Sequence, residues 1–149
     1  TASLIANSSK AAGLLSGVSQ ETAEHMYGYG RHLGLAFQIV DDILDFTGST
    51  ETLGKPAGSD LKSGNLTAPV LFAMEEKPYL EALIERRFES DGDLDKALDI
   101  IQDSQGIARS RELAADHAKL AVEHISELPP SESQQALINM TDYVLNRLY

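Results

Sequence analysis

The first fifteen residues mix small and apolar side chains without a proline. Leu4, Ile5, Ala11, Ala12, Leu14 and Leu15 supply the apolar positions, and Gly17 follows. The pattern predicts a helix over 2–15 with a glycine stop. Its small residues, among them Ala2, Ala6, Ser9 and Gly13, allow a neighbour to pack closely. Ser19 then heads a second helix as N-cap, and Glu21 in the first turn favours the dipole. This helix is expected over 20–47. Gly28, Gly30 and Gly34 fall inside it, each costing about 1 kcal/mol relative to Ala. Towards its end Ile39, Val40, Ile43, Leu44 and Phe46 cover much of the circumference. A helix apolar on most of its surface is a buried helix.

Residues 48–64 read as a loop rich in Gly, Ser and Thr. It exceeds the usual length of a connection, which often marks function. After Gly64 a helix starts with Pro69 in its first turn, runs to about Lys77 and stops at Pro78. A short helix over 79–89 and a turn over Ser90–Asp93 follow. Further helices are expected over 93–103, 106–127 and 131–148, the last two separated by Pro129–Pro130. No alternating pattern persists, so the class is all-α. The chain opens inside what reads as a helix, which leads us to expect further sequence upstream of Thr1, with Tyr149 as the natural end.

Charge narrows the picture. With 12 basic and 23 acidic residues the formal net charge is −11. That disfavours nucleic acid as a partner, because phosphate contacts need basic patches. It suits divalent cations, and a bound metal can invert the local sign for a phosphorylated ligand. There is no Cys, hence no disulfide or thiolate zinc site. No apolar run is long enough for a transmembrane segment. No signal or transit pattern is present at the start, and the compartment stays open.

The chemistry concentrates at the end of the second helix. Asp41, Asp42 and Asp45 interrupt its apolar run. At roughly 100° per residue, Asp41 and Asp45 point about 40° apart. Gln38 lies on the same face one turn earlier, and Asp42 sits to one side. Such carboxylates line a polar cavity or an interface, and need a cation or raised pKa values. All-oxygen ligands favour a hard ion, Mg²⁺ before Ca²⁺. The plainer reading is an amphipathic helix whose acids face water. Gly34 shares the Gln38 face, where it either leaves room for a ligand or permits helix–helix contact.

Other polar residues are less specific. Lys55 is the sole cation between Arg31 and Lys62, exposed between Gly54 and Pro56. Its default reading is a solvated charge; beside a metal site it reads as a phosphate contact. No Walker P-loop pattern exists. The histidines form two pairs seven apart, His25/His32 and His117/His124. Each pair could share a helix face, but no third ligand is spaced with either, so core or surface histidines are expected. Arg109 and Arg111 with Glu112 and Asp116 read as a solvated, ion-paired face.

Taken together, Gly34-Leu35-Ala36-Phe37-Gln38-Ile39-Val40-Asp41-Asp42-Ile43-Leu44-Asp45 and Gly54-Lys55-Pro56-x-Gly58-x-Asp60 resemble the second aspartate-rich motif and following lysine loop of trans-type polyprenyl diphosphate synthases. Thr1-Ala2-Ser3-Leu4 is similar to the family's Lys-Thr helix. The resemblance extends from residue 1 to 149, and looks strongest to the long-chain, solanesyl-type enzymes of plants and cyanobacteria. It implies an all-α isoprenoid-synthase helical bundle, of which residues 1–149 are the C-terminal half of one domain, and a homodimer.

The resemblance also implies a reaction. An allylic diphosphate loses pyrophosphate with the help of Mg²⁺, and isopentenyl diphosphate attacks the resulting cation and then loses a proton. Asp41 and Asp45 would hold Mg²⁺, with Asp42 acting directly or through water. Lys55 would contact the leaving diphosphate. Thr1 and Gln38 would lie near the reacting carbons. Two departures stand out. Asn65 occupies a position where many members carry a second lysine. The first aspartate-rich motif and the basic isopentenyl diphosphate site, which precede this stretch in the family, are absent from it, so the N-terminal half of the enzyme is an expected partner. A non-catalytic interaction subunit and a terpene cyclase of the same fold are the rival readings.

Overall fold

The structure, a computed structural model, describes residues 1–48 and 57–148. Lys55 and Tyr149 therefore lie outside the described residues. Every regular element among those described is a helix. They are α1 (Ala2–Leu15), α2 (Gln20–Thr47), α3 (Ser59–Lys62), α4 (Ala68–Glu76), α5 (Leu80–Glu85), α6 (Asp93–Gln102), α7 (Gly106–Ser126) and α8 (Glu132–Asn146). The chain divides into two compact units, Thr1–Val40 with Leu113–Tyr149, and Asp41–Glu112.

In the first unit, α1 ends as its sequence demands. Gly17 adopts φ 76°, and the Val18 N–H reaches back to the Gly13 carbonyl while the Gly17 N–H reaches Leu14. This reciprocal closure uses glycine because the left-handed region penalises a Cβ. α2 opens on Ser19, whose Oγ accepts from the Thr22 N–H at 3.1 Å. The small residues of α1 then meet the glycines of α2. A Cβ on Gly34 would stand 2.6 Å from Ala2 Cα, and one on Gly30 2.7 Å from the Ile5 carbonyl oxygen. Gly34 thus serves helix–helix contact and leaves no room for a ligand. Tyr29 donates from α2 to the Leu137 carbonyl of α8 at 3.0 Å, and burial pushes its phenol up to about 12.

All four histidines come together between α2 and α7, where the two seven-residue spacings face each other in opposite directions. The His32 and His117 rings stack with their Nδ1 atoms 3.0 Å apart. His124 also stacks with His32, and His25 meets His124 edge-on. Gly28 makes this row possible, because a Cβ there would overlap the His124 ring. Burial, then the neighbouring His117, His124 and Arg31, lowers the pKa of His32. His117 is lowered by burial and Arg31, against a smaller raising effect of Asp116.

The second unit is built on Phe46, Leu61, Val70, Ala73, Leu80, Leu83, Ala97, Ile100 and Ile101. α4, α5 and α6 pack on one another around them. The 48–64 stretch contains a structured turn, α3, where the sequence reads as loop. The helix expected over 79–89 closes early, at Glu85, with Arg87 and Phe88 both left-handed. Arg86 forks onto Asp93 through Nε and Nη2, and that bond is the main cause holding the Asp93 carboxyl below its usual range. Arg109 pairs with Glu75 of α4 at 2.7 Å and lies over the Phe72 ring. Its partners thus stand on a different helix, where its own helix was expected to supply them.

Candidate active site

In the second half of α2 most residues are buried or half-buried, but Arg31, Gln38 two turns later and Asp41 one turn after that stay exposed. These three form a polar stripe along that half of the helix. In the first unit, Thr1 joins it: its Oγ1 donates to Gln38 Oε1 at 3.0 Å. The amide oxygen can only accept, so the threonine spends its proton there and keeps its oxygen lone pairs available. The approach of Thr1 follows from the glycine contact one turn away, since Ala2 is seated on Gly34.

The three aspartates at the end of α2 separate by environment. Asp41 is exposed and Asp42 half-buried. Asp45 is 1% exposed despite sharing the Asp41 face in helical register. The reason is the segment 57–60, which folds back over it. Ser59 Oγ donates to Asp45 Oδ1 at 2.9 Å, and the Asp60 N–H donates to Oδ2 at 3.1 Å. The Gly58 N–H also donates to the Asp45 carbonyl at 2.9 Å. Gly58 is required by its φ of 71°, a left-handed conformation that penalises a Cβ. Asp45 therefore starts α3 and ties it to the end of α2. Ser59 is the residue that sequence reasoning missed; its only signal was its place between Gly58 and Asp60.

Among the described residues no three acidic or histidine side chains converge as a metal cage. The donor chemistry still fits a hard divalent cation. Asp41 is exposed and Asp42 half-buried, so carboxylates of both lie at a partly open surface. Mg²⁺-type ions need only one or two carboxylates, the remaining positions being filled by phosphate and water. Both Asp45 oxygens accept hydrogen bonds, from Ser59 Oγ and the Asp60 N–H.

A family profile described as "Polyprenyl synthetase" matches residues 1–101. A prenyl transferase from Synechocystis sp. is 61% identical over 149 residues, covering 100% of this chain and 46% of its own length. Solanesyl-diphosphate synthase 2, chloroplastic, from Oryza sativa subsp. japonica is 50% identical, covering 99% of this chain and 37% of its own. Among solved structures, the apo form of an Arabidopsis medium/long-chain length prenyl pyrophosphate synthase superimposes with a TM-score of 0.89 at 46% identity, covering 100% of this chain and 52% of that one. A polyprenyl synthase from Caulobacter crescentus, crystallised with calcium and isoprenyl diphosphate, gives 0.85 at 36% identity, covering 98% of this chain and 46% of that one. The chain spans about half the length of the curated relatives it matches. The all-helical fold agrees with these neighbours, and no described helix is long and apolar enough to cross a membrane. With the polar stripe of α2 and these matches together, the chain belongs to the polyprenyl synthetase family.

Proposed function

We propose that residues 1–149 form the C-terminal half of a trans-type polyprenyl diphosphate synthase domain. The whole domain condenses an allylic diphosphate with isopentenyl diphosphate, and this stretch supplies the second aspartate-rich motif. The observation that carries the reading is the division of labour at the end of α2. Asp41 is exposed and Asp42 half-buried, while Asp45 is held under α3 by Ser59 and Asp60.

Asp41 and Asp42 would hold Mg²⁺, with Asp45 fixing the helix end that presents them. When bound, the metal neutralises charge that grows on the departing diphosphate. Lys55 would contact the same diphosphate. The Thr1 hydroxyl, its proton committed to Gln38, offers lone pairs towards positive charge on the reacting carbons and holds the Gln38 amide in place. The Caulobacter neighbour, with calcium and isoprenyl diphosphate, supports a divalent cation and a diphosphate as ligands. The partners are the two diphosphate substrates, the N-terminal half of the same enzyme and a second copy in a homodimer.

The test is Asp41→Ala in the complete synthase. Loss of a metal ligand worth about 3 kcal/mol of transition-state stabilisation lowers turnover by roughly 100-fold. Asp42→Ala is expected to cost less. Near-wild-type turnover of both variants at limiting Mg²⁺ would refute the site. Residues 1–149 alone should show no elongation.

A further inference from the structure

α5 ends in the same reciprocal closure as α1, but with different residues. The Arg87 N–H reaches the Ile84 carbonyl at 2.9 Å and the Phe88 N–H reaches Leu83 at 3.3 Å. In α1 the equivalent left-handed position is Gly17; here it is Arg87, at φ 54°, followed by Phe88 at φ 56°. Left-handed backbone penalises any Cβ, and consecutive non-glycine residues there are uncommon. Such strain persists where the side chains it presents have work to do.

The work is visible in what those side chains line. A cavity of about 430 Å³ is lined by the 61–64 turn, Leu66, Ile84, Arg87 and Phe88, so that Lys62 and Arg87 both border it. That volume lies within the range of small-molecule sites. The chain is strongly acidic, yet both charged residues here are cations. Arg86, next door, is committed to Asp93. Lys62 and Arg87 are exposed, and neither is paired with a carboxylate among the described residues.

We propose that this cavity binds a small amphipathic anion, a phosphate or diphosphate head on a short apolar body. The head sits between Lys62 and Arg87, and the body lies on Leu66, Ile84 and Phe88. The site is separate from the Asp41–Asp42 pair in chemistry, since it needs cations and no metal.

The probe is decyl phosphate below its micelle threshold, titrated into the complete synthase with EDTA present to strip metal from the Asp41–Asp42 site. Binding is read by calorimetry and by amide shifts. Saturable binding is expected, with shifts centred on residues 61–66 and 84–88. Inorganic phosphate and decanol should each bind at least about tenfold more weakly, lacking one half of the recognition. Lys62→Gln and Arg87→Gly should each weaken decyl phosphate about fivefold, the scale of one exposed charge contact. Arg87→Gly should also raise the melting temperature by releasing the left-handed strain. Both side chains are exposed, so neither change threatens folding. Unchanged affinity in the double variant, or equal affinity for decanol, would overturn the proposal. So would a fall in melting temperature with unchanged affinity, which assigns Arg87 to closing α5 alone. Co-sedimentation with phosphatidic-acid vesicles without binding of soluble decyl phosphate would equally overturn it.

Discussion

Replacing Asp45 by alanine tests whether the three aspartates of α2 are one functional set or two. The side chain is 1% exposed and accepts from Ser59 Oγ and the Asp60 N–H. A hydrogen bond to a charged group contributes about 1.5–3 kcal/mol, and a donor left unpaired adds its own desolvation cost. Ser59 and Asp60 are only half-buried, so water can reach part of what is vacated. The expected loss is therefore about 3 kcal/mol, at the low end for two such bonds. With a urea dependence of about 2 kcal/mol per molar, the unfolding midpoint should drop by about 1.5 M. Asp45→Asn keeps one acceptor but turns an amide N–H₂ towards a donor, so about half the loss is expected. Asp41→Ala, at an exposed position, should stay within about 0.5 kcal/mol of wild type. Urea titrations followed by circular dichroism measure all three, and hydrogen exchange at the Asp60 amide localises the effect. If Asp45→Ala proved as stable as Asp41→Ala, α3 would not depend on that carboxylate, and the separation of roles would fail.

Gly28→Ala should destabilise by about 1–3 kcal/mol through overpacking, because its methyl overlaps the His124 ring; a thermal melt reads this directly. Stability should fall on acidification. His32 and His117 have lowered pKa values in the fold, so the unfolded chain binds more protons below about pH 6.5, and stability is lost as pH drops through that value. Melting temperatures between pH 7.5 and 5.5 should show a slope that flattens in a His32→Gln, His117→Gln variant; an unchanged slope would place the sensitivity elsewhere. Ser131 accepts from the Gln134 N–H at 3.1 Å as the N-cap of α8, and Ser131→Ala should cost about 1 kcal/mol in the same melts.

The sequence revealed those parts of the fold that rest on local chemistry. α1 and α2 begin and end where expected, because Ser19 and Gly17 act on residues within one turn of themselves. α3 was invisible for the opposite reason. Four residues make one turn and carry no period, and the acceptor that holds them lies 14 and 15 positions away. The same distance hid the burial of Asp45, whose register alone would leave it beside the exposed Asp41. Gln38 and Asp41 were legible because helix register suffices to place them on one stripe. The histidine row was half legible: each seven-residue spacing shows in the sequence, but the pairing of His32 with His117 depends on how two helices meet. Arg87 and Phe88 escaped notice because left-handed backbone is normally announced by glycine or asparagine, and neither is present there.

The contact between α1 and α2 acts as a gauge for the chemistry beside it. Ala2 rests on Gly34 with no side chain between them, and Thr1 and Gln38 stand one residue and one turn further along. Their 3.0 Å bond tolerates a displacement of only a few tenths of an ångström before it weakens. Any atom added at Gly34 therefore changes the reach of Thr1 as well as the packing. A residue with no functional group of its own thereby calibrates the position of one that has it, and screens for altered reactivity should count Gly34 among the positions that matter.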